Sequence, residues 1–262
     1  MLLRLTPPAG QVSHYRTGMR IFMPMPGDPA ADSSRPFMIQ CIETTQTVDS
    51  SFGDGAIVRS VTDSARLEMP GSPGTMPTMM QDILRGMTVT QRMDSRGRVR
   101  FSSVSGPNVP PSVTGDMTGA MSGLSSRLPA LPEQPIRVGE TWADSQPVVL
   151  ATPGSRGTGW VRIDNRLDSL TLVAGVRTAA VWASGAARYD VTTPQLSMTV
   201  TGTSAGQVLW DLDHGRLERM TSLASGEVRM HELGQVMPFR MTMTMALVDA
   251  GQPPDTAICA AR

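Results

Sequence analysis

The clearest pattern in the chain lies near its end. Phe239, Met241, Met243, Met245 and Leu247 alternate with Arg240, Thr242, Thr244 and Ala246. Successive side chains of a strand point to opposite faces, so this segment predicts a strand with one buried and one polar face. Shorter runs of the same kind predict strands at 15–23, 37–48 and 55–69, then at 140–150, 157–165, 167–173, 176–184, 186–191 and 196–202. In the second of these Phe37, Ile39 and Cys41 share a face. Two hairpins, at 86–106 and 206–226, are built alike. Each opens at Gly, passes an apolar-Asp step (Met93-Asp94, Leu212-Asp213) and a Gly-Arg-apolar step (Gly97-Arg98-Val99, Gly215-Arg216-Leu217), and closes on Ser-Gly. Asp and Gly supply the positive φ that a tight turn demands. The likeness fits a duplicated β-unit, and equally two turns drawn from the same stock of residues.

Helical spacing is rare. Met79, Met80, Ile83 and Leu84 predict a short helix near 78–85, with Thr78 as N-cap and Gly86 as its stop. Met117, Met121, Leu124 and Leu128 form one stripe, which predicts a helix over 116–128 lying across the open face of a sheet. Residues 128–142 (LPALPEQPIRVGETW) then carry Pro129, Pro132 and Pro135, which remove backbone donors and force extended geometry. The expected plan is an N-terminal β half (1–127), a Pro-rich bridge (128–142) and a C-terminal β half (143–262), together one structural unit. The fold class is mainly β. We expect a large curved antiparallel sheet, a half-barrel or barrel, with one or two short helices packed on it.

Composition narrows the function. The formal net charge is zero over 262 residues, which argues against a nucleic-acid partner. All 23 basic residues are Arg, a bias expected of a GC-rich genome. Met reaches 20 while aromatics are scarce; Met fills irregular core gaps and also suits adaptable apolar surfaces. No apolar run approaches the roughly 20 residues of a transmembrane helix. The opening MLLRLTPPAG has no h-region of a signal peptide. Cys41 and Cys259 are the only cysteines and could pair in an oxidising compartment; the alternative is two unrelated thiols.

No motif carries chemistry on its own. Gly202-Thr203-Ser204-Ala205-Gly206 matches the nucleophile elbow, but a strand follows Ser204 where a helix is needed, so a glycine-flanked strand bend is expected. Gly154-Ser155-Arg156-Gly157-Thr158-Gly159 lacks the P-loop Lys and reads as a loop before a strand. His14, His214 and His231 have no local metal-ligand spacing. Asp211 and Asp213 read as solvated turn residues, with Asp213 bonding its own backbone. Trp142, Trp160, Trp182 and Trp210 fall on predicted strands, as core anchors or as a ligand wall. No catalytic, cofactor or metal site is expected.

Three stretches together resemble a known pattern: residues 86–99, the run Leu131-Pro132-x-x-Pro135-Ile136-Arg137-Val138-Gly139-Glu140-Thr141-Trp142, and residues 201–217. They are similar to the P-x-x-P-V-x-V-G-D-x-W signature, followed by spaced Gly and Asp, of an uncharacterised bacterial envelope and lipoprotein family. The resemblance implies an extracytoplasmic β-rich domain, loosely like the half-barrel lipoprotein carriers, and brings no catalytic residues. The missing export signal departs from it. The expected role is therefore non-catalytic and periplasmic: a protein-interaction or structural protein, such as an accessory subunit docked on a membrane complex. The alternative is a carrier of a lipid-like ligand, lined by Met117, Met121 and Leu124 from the helix and by Phe239, Met241, Met243 and Met245 from the last strand.

Overall fold

The computed structural model describes residues 1–24, 35–70, 76–109, 129–152, 155–173, 175–193, 195–248 and 259. The strands, in chain order, are β1 (Val12–Phe22), β2 (Met38–Phe52), β3 (Gly55–Glu68), β4 (Thr88–Asp94), β5 (Val99–Ser105), β6 (Thr141–Thr152), β7 (Ser155–Val173), β8 (Val176–Thr192), β9 (Ser197–Asp211), β10 (Arg216–Met230) and β11 (Gln235–Leu247). One helix, α1 (Met76–Leu84), lies between β3 and β4. All strands join a single antiparallel sheet in the order β5-β4-β3-β2-β1-β11-β10-β9-β8-β7-β6. Two meanders thus meet where the first strand pairs with the last. The sheet is curved and open, rather than a closed barrel.

The strands run longer than their sequence pattern. The expected strands at 157–165 and 167–173 form one 19-residue strand, β7, with a register shift between Leu167 and Ser169. Those at 176–184 and 186–191 are likewise one strand, β8, and β9 runs through both 196–202 and the Gly-x-Ser-x-Gly stretch. Glycines inside these strands look like breaks in sequence; here they let a neighbouring strand or ring approach. A Cβ on Gly206 would overlap the Thr221 carbonyl oxygen, and one on Gly226 would overlap that of Thr201. The Phe239 ring covers the space at Gly202 and Gly226, at 3.3 and 2.9 Å from where their Cβ atoms would lie.

Helix α1 starts at Met76, so Thr78 sits inside it rather than capping it, and Pro77 takes an early position where its missing donor costs nothing. Gly86 ends the helix as expected, at φ 74°. Ile83 and Leu84 pack on Met87, Val89, Val104 and Val109. The expected helix 116–128 lies outside the described residues, and with it Met117, Met121 and Leu124.

The core is off-centre. One end of the inner sheet face is plugged by residues 1–8 and by the Pro-rich stretch 129–136. Leu3, Leu5, Leu131 and Ile136 pack there against Tyr15, Leu167, Val181, Val208 and Trp210. Ile136 and Met1 exchange two backbone bonds of 2.8 Å, and Leu131 N donates to Arg96 O at 2.9 Å. The Pro-rich stretch is therefore core, with Ala130 and Leu131 fully buried. Both look-alike hairpin turns touch this plug. Leu5 N donates to Ser95 O at 2.7 Å, and Gly215, at φ 59°, lies so close to Thr6 and Pro7 that a Cβ would overlap their backbone. The two hairpins nevertheless stand at different places, β4–β5 at one sheet edge and β9–β10 in the interior.

At the same end the sheet curls until its two edges face each other. Arg98, beside β5, forms an ion pair with Asp144 on β6, whose carboxylate is buried and also accepts from Gln146 Nε2 at 2.8 Å. Pro147, in the middle of edge strand β6, removes a donor and blunts that edge against pairing with another chain.

A candidate docking surface on the outer sheet face

Register assigns every strand residue to one of two faces. The inner face carries Ile42, Thr17, Met245, Met220, Val208, Val181 and Leu167 in one line across seven strands. The last strand places Phe239, Met241, Met243 and Met245 on this face. Met243 and Met245 pack against the plugged core, whereas Phe239 and Met241 are half-buried toward the other end. Cys41 falls on the outer face of β2, with Ile39 along the same side, and Phe37 precedes the strand; the inward residues are Met38, Gln40 and Ile42. Cys41 and Cys259 stand in disulfide geometry, with their Cα atoms 5.8 Å apart.

The outer face is polar, and on β7 and β8 its charges pair along single strands. Arg162 binds Asp164, Arg166 binds Asp168, and Arg188 binds Asp190, all exposed except the half-buried Asp168. Such pairs contribute little stability each. Among them stand exposed apolar side chains: Trp160 at 45%, Trp182 at 40% and Leu223 at 51%, with Val149 near Trp160. Between the Trp rows lies a depression of about 470 Å³ lined by Asp164, Ser184, Ala186, Thr203, Ala205, Leu223 and Ser225. It exists because these outer positions carry short side chains. Its rows are set by register: Arg162–Ala186–Thr203–Ser225 and Asp164–Ser184–Ala205–Leu223. The row of Trp160 and Arg188 bounds it on one side, and that of Trp182, Arg166 and Gln207 on the other. Trp142 and Trp210 belong instead to the plug: Trp142 Nε1 donates to Ala130 O at 2.7 Å, and Trp210 is buried. The sequence alone could not separate these two pairs of tryptophans, because which face a position takes depends on bulges and partners.

The remaining motifs resolve into structure. Ser204 is mid-strand, paired with Gly185 and Ala224, so no elbow forms. The glycine-rich stretch is already strand from Ser155, and Gly154 lies outside the described residues. Among the described residues, the ring partners of the histidines are Thr45 for His14, Asp211 for His214 and Thr199 for His231. Among the same residues, no group of three metal-ligating side chains converges. Replacing Ser204 with Ala is expected to change stability by less than about 0.5 kcal/mol and to leave any esterase activity of a preparation unchanged; a thermal melt and a chromogenic ester assay check both.

The two turn carboxylates differ from expectation. Asp211 is buried, and it accepts from His214 N at 3.0 Å, His214 Nδ1 at 2.8 Å and Arg216 Nε at 3.1 Å. Asp213 is the exposed one, and it reaches Arg177 N and Nε at 2.7 and 2.6 Å, which holds its carboxyl below the usual range. Nearby, Tyr15 donates to Leu217 O at 3.0 Å, and burial pushes its phenol up to about 12. A raised phenol keeps its proton in the fold while the unfolded chain loses it. Stability is therefore full below pH 10 and falls as pH rises from 10 toward 12, by roughly 2–3 kcal/mol. Urea melts at pH 9 and pH 11.5 should show this fall, and Tyr15→Phe should remove most of it.

No family model matches the sequence, and no curated protein matches it. Two solved structures align over nearly the whole chain at 10% identity. One is a candidate lipoprotein from Parabacteroides distasonis, at a TM-score of 0.35, covering 94% of this chain and 98% of its own. The other is a candidate exported protein with a YmcC-like fold from Bacteroides fragilis, at a TM-score of 0.27, covering 93% and 97%. Both are described in envelope or export terms. At these scores the likeness carries no conclusion about activity, ligand or partner.

Proposed function

We propose that the chain is a non-catalytic protein of an extracytoplasmic compartment that works by docking another protein on its outer sheet face, as an accessory subunit on the periplasmic side of a membrane complex. The observation that carries this is the set of exposed apolar side chains, Trp160, Trp182 and Leu223, standing around the shallow depression on the outer face with Arg–Asp pairs beside them. Aromatic residues and Arg are the residues enriched at protein interfaces. The compartment rests on Cys41 and Cys259, which are placed to form a disulfide and so suit an oxidising environment. The test is affinity purification from native membranes with Trp182→Arg/Leu223→Arg. We expect the variant to melt like the parent and to lose the proteins that co-purify with it; retention of all of them removes the docking role.

A second reading, a carrier of a lipid-like ligand, draws on half-buried Phe239 and Met241 with Ile21 and Met38 in line beside them on the inner face. Native mass spectrometry of gently purified protein distinguishes it: a bound lipid adduct supports a carrier, and bare protein counts against one.

A further inference from the structure

We infer that the inner sheet face holds a site for a soft monovalent cation, Cu(I) or Ag(I), built from methionine thioethers; it lies on the face opposite the docking surface and is independent of that role. Register places Met38 on β2, Met19 on β1, Met241, Met243 and Met245 on β11 and Met220 on β10 at neighbouring inward positions. Met19 stands directly opposite Met243, and Met220 directly opposite Met245. Directly opposed Cβ atoms lie about 4.5–5.5 Å apart, and next-but-one residues along a strand roughly 7 Å. A thioether sulfur sits two bonds beyond Cβ on a freely turning chain, so Met19, Met241 and Met243 can bring three sulfurs to one ion. Next to Met243 and Met241, the short Ser222 and Ala224 of β10, with Gly206 of β9 beyond Ser222, leave those side chains room to turn.

Packing alone does not select this concentration. Strands favour β-branched and aromatic residues, and ordering Met costs more side-chain entropy than ordering Leu or Ile. Strands β6, β7 and β8 follow that rule: they contain no methionine, and their inward apolar residues include Val161, Ile163, Leu167 and Val181. Met19, Met241 and Met243 are also only half-buried, so an ion can reach them from the open end of the sheet. The donor set then fixes the ion. Thioethers are soft, neutral ligands that suit Cu(I), whereas Mg and Ca take oxygen. Among the described residues, the inward positions of β1, β2 and β11 carry no charged side chain, so nothing there balances a divalent ion. The His, Cys, Asp and Glu side chains of the described residues form no metal-holding group of their own, and the disulfide between Cys41 and Cys259 leaves no thiolate to compete.

The test titrates the intact, disulfide-bonded protein, isotope-labelled at its methionine methyl groups, with silver nitrate in chloride-free buffer. One equivalent of Ag(I) should shift the methyl signals of Met19, Met241 and Met243 and leave that of Met198, on β9, in place. Native mass spectrometry should show one bound Ag(I), and Zn(II) should change neither readout. Met19→Leu and Met243→Leu, swaps of similar volume, should each weaken Ag(I) binding at least tenfold while melting close to the parent. Cu(I) delivered in competition with bicinchoninate should show the same dependence on both residues. No saturable Ag(I) binding, methyl shifts spread evenly over the methionines, or unchanged affinity in the Met19→Leu/Met243→Leu variant overturns the site. Absent Ag(I) binding, beside co-purifying proteins still lost from Trp182→Arg/Leu223→Arg, removes the metal site and keeps the docking role.

Discussion

Replacing Asp144 with Ala should destabilise the protein by about 3 kcal/mol, the lower end of the cost of stranding one member of a buried ion pair. The lower end applies because the Arg98 side chain keeps about a quarter of its exposure while Asp144 is nearly buried. Arg98 Nε is already buried without a partner, so losing the carboxylate leaves the guanidinium with an uncompensated charge at the point where the sheet edges meet. For a chain of this length the midpoint should fall by roughly 6–12 °C. The double variant Arg98→Met/Asp144→Leu should recover most of the loss, since an apolar pair of similar volume carries no stranded charge. If Asp144→Ala melts within 2 °C of the parent, roughly the shift that under 1 kcal/mol would give, the edges are not clasped there.

The second large effect concerns Cys41 and Cys259. A bond between them closes 218 residues of sequence, and the chain-entropy estimate for a loop of that length is roughly 5 kcal/mol, an upper figure because unfolded chains retain structure. The intact mass under denaturing, non-reducing conditions should be lower by two hydrogens than after reduction. Cys41→Ser, or reductant alone, should lower the melting midpoint markedly. Equal midpoints with and without reductant, or two free thiols in protein isolated from the envelope, would remove both the bond and the compartment inferred from it.

Much of the fold could be read from residue order. The alternation at 239–247 predicts β11 and its inward methionines, and the Asp and Gly turn residues predict two real hairpins. Strand length was harder to read, because Gly202, Gly206 and Gly226 break the apolar pattern without breaking the ladder. The Pro-rich stretch 129–136 looks like a linker in sequence, since proline says only that the backbone is extended and unpaired. Its burial depends on the end of a curled sheet that residues far along the chain create. The depression on the outer face was not legible at all. Ser184, Ala186, Thr203 and Ala205 carry no pattern until three strand registers bring them side by side. The same holds for Asp211 and Asp213: only the turn geometry decides which is buried.

Site-specific photocrosslinking in cells tests the contact role most directly, with the photoreactive residue placed in turn at Trp182, Leu223, Leu172 and Met241. The predicted result is a discrete protein adduct from positions 182 and 223, and none from exposed position 172 or inner-face position 241. Adducts arising from position 241 alone, or the same adducts from all four positions, would contradict a partner seated on the outer face of the sheet.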